Sequence, residues 1–279
     1  MTSEEWSFGG EDTALLGALL LFSGLGLLPL GRLLAERVFP APRVLFVRWG
    51  FTHVVATSLV FLLSSLLAVT LLGASDVLSA LVAGVLAFTL TAAFVTRVAR
   101  RSEPKPGESL GLVGAAHTRA VGLGLALYLV FLPALLGAGL LSPWLVERAG
   151  GAPVGQRVLL EIGGLPGVEL CLALFVAVAL QPFLEEFLFR GFLQPLLVQN
   201  FRERGGIVLT SLIFGVIHGQ VAFLPVFCLS LLLGAIYLRT RSLVAIVIVH
   251  GVHNGLVLGL FLRSAEWREL SGASALLGS

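Results

Sequence analysis

Residues 170–190 read LCLALFVAVALQPFLEEFLFR, an apolar stretch that carries two adjacent glutamates, Glu185 and Glu186, followed by Arg190. The surrounding run, 168–198, is long enough to cross a bilayer as a helix. A carboxylate at the centre of a bilayer costs roughly 2.5–3.5 kcal/mol even on the lenient insertion scale. Paired glutamates at such a depth therefore predict a functional site rather than a membrane anchor.

The composition indicates an integral membrane protein. Of the 279 residues, 57% are hydrophobic and only 12% are charged, whereas soluble domains have about 25% charged residues. The mean hydropathy is +0.99. A formal net charge of +2 gives no basis for a nucleic-acid partner. The acidic N-terminus lacks the basic region of a signal peptide, so we expect the first apolar run to be retained.

Long apolar runs predict an all-α fold, a polytopic transmembrane helix bundle of about eight spans. The expected spans are 13–35, 51–73, 77–97, 119–141, 168–198, 206–222, 224–238 and 243–262. The sixth and seventh are short, and a partly re-entrant pair would reduce the count to seven. We predict two parts: a three-span scaffold at 1–110 and a five-span catalytic region at 111–279, with its core at about 168–262. Segment 142–166, rich in Gly and Pro, is expected to be an outer loop.

The distribution of basic residues predicts the orientation. With eight spans and an outside N-terminus, thirteen of the 18 Lys and Arg residues fall in inside segments and four in outside segments. This asymmetry follows the positive-inside rule and places both termini outside. High Arg and Ala usage, without eukaryotic targeting signals, favours a bacterial plasma membrane.

The spacing of Glu186 and Arg190 predicts an ion pair on one helix face, because residues four apart are neighbours in a helix. Glu185 points about 100° away and is left free for general-base work. Pro182 removes a backbone hydrogen bond one turn earlier and is expected to kink the helix beside Glu185.

Histidines in the later spans complete the polar set. Using 1.5 Å of rise per residue, we expect His218, His250 and Asn254 to lie at about the depth of Glu185. Two carboxylates, two histidines and an amide in one layer favour an enzyme over structural glue. The remaining histidines, His53, His117 and His253, are expected to be packing or interfacial residues.

The pattern Glu-Glu-x-x-x-Arg, then Phe-x-x-x-His from Phe214, then His-x-x-x-Asn from His250 resembles the CPBP family of intramembrane proteases, which includes the CAAX prenyl endopeptidases and bacterial "abortive infection" proteins. The resemblance covers about 168–262. It implies a peptidase in which Glu185 and His218 activate water and His250 and Asn254 stabilise the oxyanion. Glu186 and Arg190 would then give structural support.

The resemblance leaves two mechanisms open. One uses zinc held by Glu185, His218 and His250, which would supply the three ligands that a catalytic zinc needs. The other uses Glu185 as a metal-free general base. The expected partners are the bilayer and a membrane-associated substrate: a lipidated CAAX-like tail, a bacteriocin-like or pheromone peptide, or a membrane regulator.

Two other functional classes remain at this stage. Intramembrane Glu and His residues also serve proton relays, so a proton-coupled transporter or channel is the main alternative. The absence of an evident internal repeat counts against an inverted-repeat transporter. The second alternative is a non-catalytic membrane partner that keeps the motif for stability.

Overall fold

The structure, a computed structural model, describes residues 10–39, 46–73, 76–113, 117–151 and 161–263, and every regular element within these ranges is a helix. The elements are α1 (Gly10–Gly26), α2 (Leu28–Val38), α3 (Phe51–Leu72), α4 (Val77–Ser102), α5 (Pro106–Ser109), α6 (His117–Arg148), α7 (Gly167–Phe175), π1 (Val176–Leu180), α8 (Gln181–Glu186), π2 (Phe187–Leu193), α9 (Gln194–Ile217), α10 (Gln220–Thr240) and α11 (Leu243–Leu262). The predicted all-α polytopic bundle is confirmed.

Seven helical stretches in the described part of the chain are long and apolar enough to cross a membrane, against the eight predicted spans. The difference arises at Gly167–Ile217, which forms one continuous 51-residue stretch. Inside it, Arg202 has a non-helical backbone with φ 63° and ψ 172°. A Cβ on Gly206 would clash with the backbone nitrogen of Val198, so the chain folds back at Arg202. The fifth and sixth predicted spans are the two arms of this hairpin.

The close approach at Gly206 makes a testable prediction. Gly206→Ala places a methyl group against backbone atoms that have no rotamer with which to move away. We expect a loss of about 1–3 kcal/mol of stability, the usual cost of overpacking, measured as thermal unfolding in detergent. Gly139→Ala is the matched control, since its Cβ would meet nothing within 4 Å. An equal effect of both substitutions would contradict the hairpin packing.

The first predicted span is confirmed as one candidate membrane span, Glu11–Val38, and it has a break at Leu27, because Pro29 favours a helix start and disfavours a helix interior. One predicted boundary was wrong. The outer loop predicted at 142–166 begins later, since α6 continues through Pro143 to Arg148. Positions 1–9, 152–160 and 264–279 lie outside the described residues, so the expected locations of both termini stay predictions.

Helix α6 is the central packing element for the N-terminal helices. A Cβ on Gly137 would clash with the backbone of α1 at Leu21, and one on Gly24 would clash with Ala134. Small residues at such crossings let helix backbones touch. Close packing of this kind drives helix association in a membrane, because the hydrophobic effect does not act between helices in lipid. Trp49 adds a second junction, because its Nε1 donates to Phe192 O at 3.0 Å. The predicted scaffold thus contacts π2, the segment that follows the glutamates.

Candidate active site

Glu185 and Glu186 lie at the end of α8, a six-residue α-helical piece between π1 and π2. Pro182 has no N–H, and Gln181 N–H donates to Val176 O, five residues back. The predicted proline kink is therefore realised as a widened π turn. Such turns are rare and occur often at functional sites. The widened turns change the rotation of the helix on both sides of the glutamates.

Glu186 holds the site together. Its Oε1 accepts from Arg190 Nη1 at 2.8 Å and from His250 Nδ1 at 2.8 Å. The side chains of Glu186 and Arg190 are fully buried. Because a carboxylate accepts and does not donate, His250 carries its proton on Nδ1. Glu186 therefore both pairs with Arg190 and orients an imidazole from α11.

Arg190 joins α10 to the site. Its Nη2 donates to Ser230 Oγ at 2.6 Å and to Ser230 O at 3.2 Å, and its Cζ lies 4.7 Å from the centroid of the Phe214 ring. A buried ion pair contributes little unless further hydrogen bonds satisfy its groups. Ser230 satisfies Nη2 and so links the pair to α10, whereas Arg190 Nε and Glu186 Oε2 are buried without a hydrogen-bond partner among the described residues.

Glu185 is nearly buried and less free than the sequence suggested. Its Oε1 accepts from Gln181 Nε2 at 2.8 Å. Its Oε2 lies 3.9 Å from His250 Nε2, which is too long for a direct hydrogen bond. One oxygen is therefore anchored within α8, and the other faces the histidine.

His218 lies at the C-terminal end of α9, immediately after Ile217, and not in mid-helix as predicted. Its Nδ1 donates to Phe214 O at 2.6 Å, which leaves Nε2 as the acceptor of the neutral ring. The centroid of the buried Phe214 ring is 4.5 Å from that of His218 and 6.1 Å from that of His250. Phe214 thus contacts both imidazoles.

Asn254 is bonded to π1 in this structure. Its Nδ2 donates to Ala177 O in π1 at 2.9 Å. The other histidines have hydrogen-bond partners outside the site. His253 Nδ1 bonds to Tyr128 Oη at 3.2 Å, and His117 Nδ1 bonds to Ser242 Oγ at 2.8 Å. His53 Nδ1 accepts from the Gly50 amide at 3.2 Å. The structure thus places His250 beside Glu185 and Glu186, connects His218 to them only through Phe214, and bonds the asparagine to π1.

The predicted zinc ligands do not form a ready metal site. Within the described ranges, no three His, Cys, Asp or Glu side chains group closely enough to hold a metal ion. A catalytic zinc needs three protein ligands, so Glu185, His218 and His250 as placed here do not fit one. Zinc stays a prediction, and no proposed step uses a metal.

Sequence reasoning missed Gln181 and two contacts with α10. Gln194 Nε2 donates to Gly234 O at 3.0 Å, one turn beyond the Arg190–Ser230 contact. Gln181 and Gln194 each lie four residues from a charged site residue, at Glu185 and Arg190. Residues at this spacing are neighbours on a helix. The recurrence of polar residues every four positions, at 181, 185, 186, 190 and 194, could therefore have predicted that the two glutamines lie beside the charged residues.

The fold and site together define a membrane-embedded helical protein with a buried centre of two carboxylates, Arg190 and His250, and with a half-buried His218 that contacts Phe214. Residues 167–256 match the family model described as "Type II CAAX prenyl endopeptidase Rce1-like". This match, over about a third of the chain, supports the resemblance to the CPBP family of intramembrane proteases that the motifs predicted, and it indicates a membrane-embedded peptidase. No curated protein gives a significant match. No solved structure gives one either.

Proposed function

We propose that this chain hydrolyses a peptide bond of a lipidated, membrane-associated peptide or protein, with Glu185 as general base. The observation that carries the proposal is the pair of Glu185 Oε2 and His250 Nε2, which face each other at 3.9 Å in a buried site. A water molecule beside this gap can hydrogen-bond to both groups. Cleavage of a fluorescent lipidated peptide by the purified protein in liposomes tests the proposal.

The reaction needs one proton shuttle. Glu185 takes a proton from water while the water oxygen bonds to the scissile carbonyl carbon, and the carbonyl electron pair moves to the oxygen. As the C–N bond breaks, Glu185 returns that proton to the leaving amine. The products are a carboxylic acid and an amine, and Glu185 is again a carboxylate.

The histidines act on the water and on the oxyanion. His218 has its Nδ1 proton fixed on Phe214 O, so its Nε2 accepts from the attacking water. Donation from His250 Nε2 to the oxyanion requires a proton on both ring nitrogens; the Nδ1 proton is held by Glu186, as a carboxylate holds the histidine in serine-protease triads. One such donor is worth roughly 2.7–4 kcal/mol. The resemblance gives Asn254 the same role; its contact with Ala177 O uses one of the two N–H groups of its amide, and this scheme assigns the oxyanion to His250.

An apolar cavity beside the site supports a lipidated substrate. It has a volume of about 410 Å³ and lies between α3, α4, π2 and α9. The hydroxyls of Thr57 and Thr91 that line it donate to their own helices, so they present methyl groups. Phe189 forms part of the wall and packs edge-to-face on Phe214 at 4.8 Å. One aromatic pair thus separates the cavity from the histidines, which suits an apolar chain attached to the cleaved peptide.

Filling this cavity tests the lipid assignment. Ser58 lines the cavity, and Ser58→Phe places a ring inside it. We expect KM for a lipidated peptide to rise about tenfold, the equivalent of two methylene groups that are no longer buried. The kcat for the same peptide without lipid should not change. Kinetics on both peptides measure the effect.

The control is Leu59→Phe, at an exposed neighbouring position that does not line the cavity. It should leave both peptides unaffected. An unchanged KM in Ser58→Phe, with normal cleavage, would show that the lipid binds elsewhere.

The excess of basic residues in the segments predicted to lie inside the cell supports an orientation in which both termini lie on the outer side of a bacterial plasma membrane.

A further inference from the structure

The carbonyl of Ala177 lacks its usual helical donors. In an α-helix it would accept from residue 181, and in a π-helix from residue 182. Gln181 N–H donates to Val176 O, and Pro182 has no N–H. A backbone carbonyl inside an apolar bundle costs free energy when it has no donor. Pro182 therefore leaves the carbonyl oxygen of Ala177, in the preceding turn, in need of another hydrogen-bond donor.

Helix α11 meets that need. Asn254 Nδ2 donates to Ala177 O at 2.9 Å. One turn earlier, a Cβ on Gly251 would clash with Val178 O, whereas one on Gly255 would lie 3.8 Å from Val178 Cγ1. The missing side chain at Gly251 lets the backbone of α11 touch π1. That approach brings the short side chain of Asn254 within reach of the carbonyl.

We infer that Asn254 is a positioning residue that supplies the hydrogen bond which Pro182 denies to Ala177, and so holds the π turn that orients Glu185. A π turn contains one residue more than an α turn, and each residue advances a helix by about 100°. Reversion of π1 to α-helix would rotate Glu185 by about that angle away from His250. The effect on cleavage rests on the proposed function, whereas the hydrogen bond itself does not.

A double-mutant cycle tests this role. Asn254→Ala removes the side-chain donor, and Pro182→Ala adds a backbone N–H that serves the same turn. In the wild-type background, we expect Asn254→Ala to lower the melting temperature by about 2–4 °C, for one lost hydrogen bond. It should also lower kcat of the folded enzyme by at least tenfold with KM little changed. In the Pro182→Ala background, both losses should shrink to less than half.

Val252→Ala is the matched control, an exposed position on the same helix, and should change neither quantity. Equal kcat losses in both backgrounds, at an unchanged melting temperature, would overturn the inference and identify Asn254 as a direct oxyanion donor. Such a donor is worth about 10²–10³ in kcat. If even the wild-type protein cleaves no peptide, the proposed function fails, and coupling of the two melting-temperature shifts still decides the hydrogen-bond role.

Discussion

Glu185→Gln is expected to lower kcat by about 10²–10⁴, the range that a positioned general base contributes. The amide has the shape of the carboxylate but cannot take a proton from water. Its contact with Gln181 is within α8 and its exposure is only 8%, so the substitution should leave the helix in place. Steady-state cleavage of a lipidated peptide in liposomes gives kcat and KM, and circular dichroism reports the fold.

Glu169→Gln is the control for this experiment. Glu169 is exposed in the first turn of α7, on the same continuous helical stretch. Removal of its charge tests whether any loss of charge in this stretch lowers activity. We expect its kcat to match that of the wild type. Full activity in Glu185→Gln would remove Glu185 from the chemistry and leave its burial without an explanation.

Arg190→Met is expected to destabilise the protein by about 3–5 kcal/mol, the cost of leaving a buried charge without its partner. The substitution strands Glu186 at zero exposure with only His250 to compensate it. It also removes the link to Ser230 on α10. Thermal unfolding in detergent, followed by circular dichroism, measures the loss.

Two further variants separate the charge effect from packing. The double variant Glu186→Gln with Arg190→Met leaves neither charge unpaired and should be more stable than Arg190→Met alone. Arg148→Met breaks an ion pair with Glu11 whose side chains are 59% and 82% exposed, and should cost at most about 1 kcal/mol. Equal losses in Arg190→Met and Arg148→Met would contradict the structural role of the buried pair.

Much of the fold was predictable because a bilayer permits few ways to bury backbone polar groups and charged side chains. Long apolar runs become helices, since only internal hydrogen bonds satisfy the backbone in lipid. The spacing of Glu186 and Arg190 predicted a pair on one face, and the 2.8 Å contact forms. These inferences use only the sequence distance between residues of one helix.

Contacts between helices were less predictable. Helix rise gives the depth of His250 but not the direction in which it points, so its bond to Glu186 could not be read from spacing. The predicted α-helix also lacked the π turns, which shift the rotation of every later side chain. For the same reason Asn254 was expected beside the reaction centre, whereas the structure places its amide on Ala177 O.

Helix ends were the least predictable features. Hydropathy located the turn at Arg202, between the fifth and sixth predicted spans, but it did not show the break between α1 and α2 at Leu27. It also missed the continuation of α6 past Pro143. In lipid a proline can stay inside a helix when neighbouring groups satisfy the carbonyls that it frees.

The most direct test of the central claim is cleavage in liposomes by the purified wild-type protein in water enriched in ¹⁸O, with Glu185→Gln beside it. The substrate is a lipidated peptide, and mass spectrometry identifies the products. The account predicts two fragments from the wild type, with one ¹⁸O in the new carboxyl group, and none from the variant. Equal cleavage by both proteins, or none by the wild type with any lipidated peptide, would contradict it.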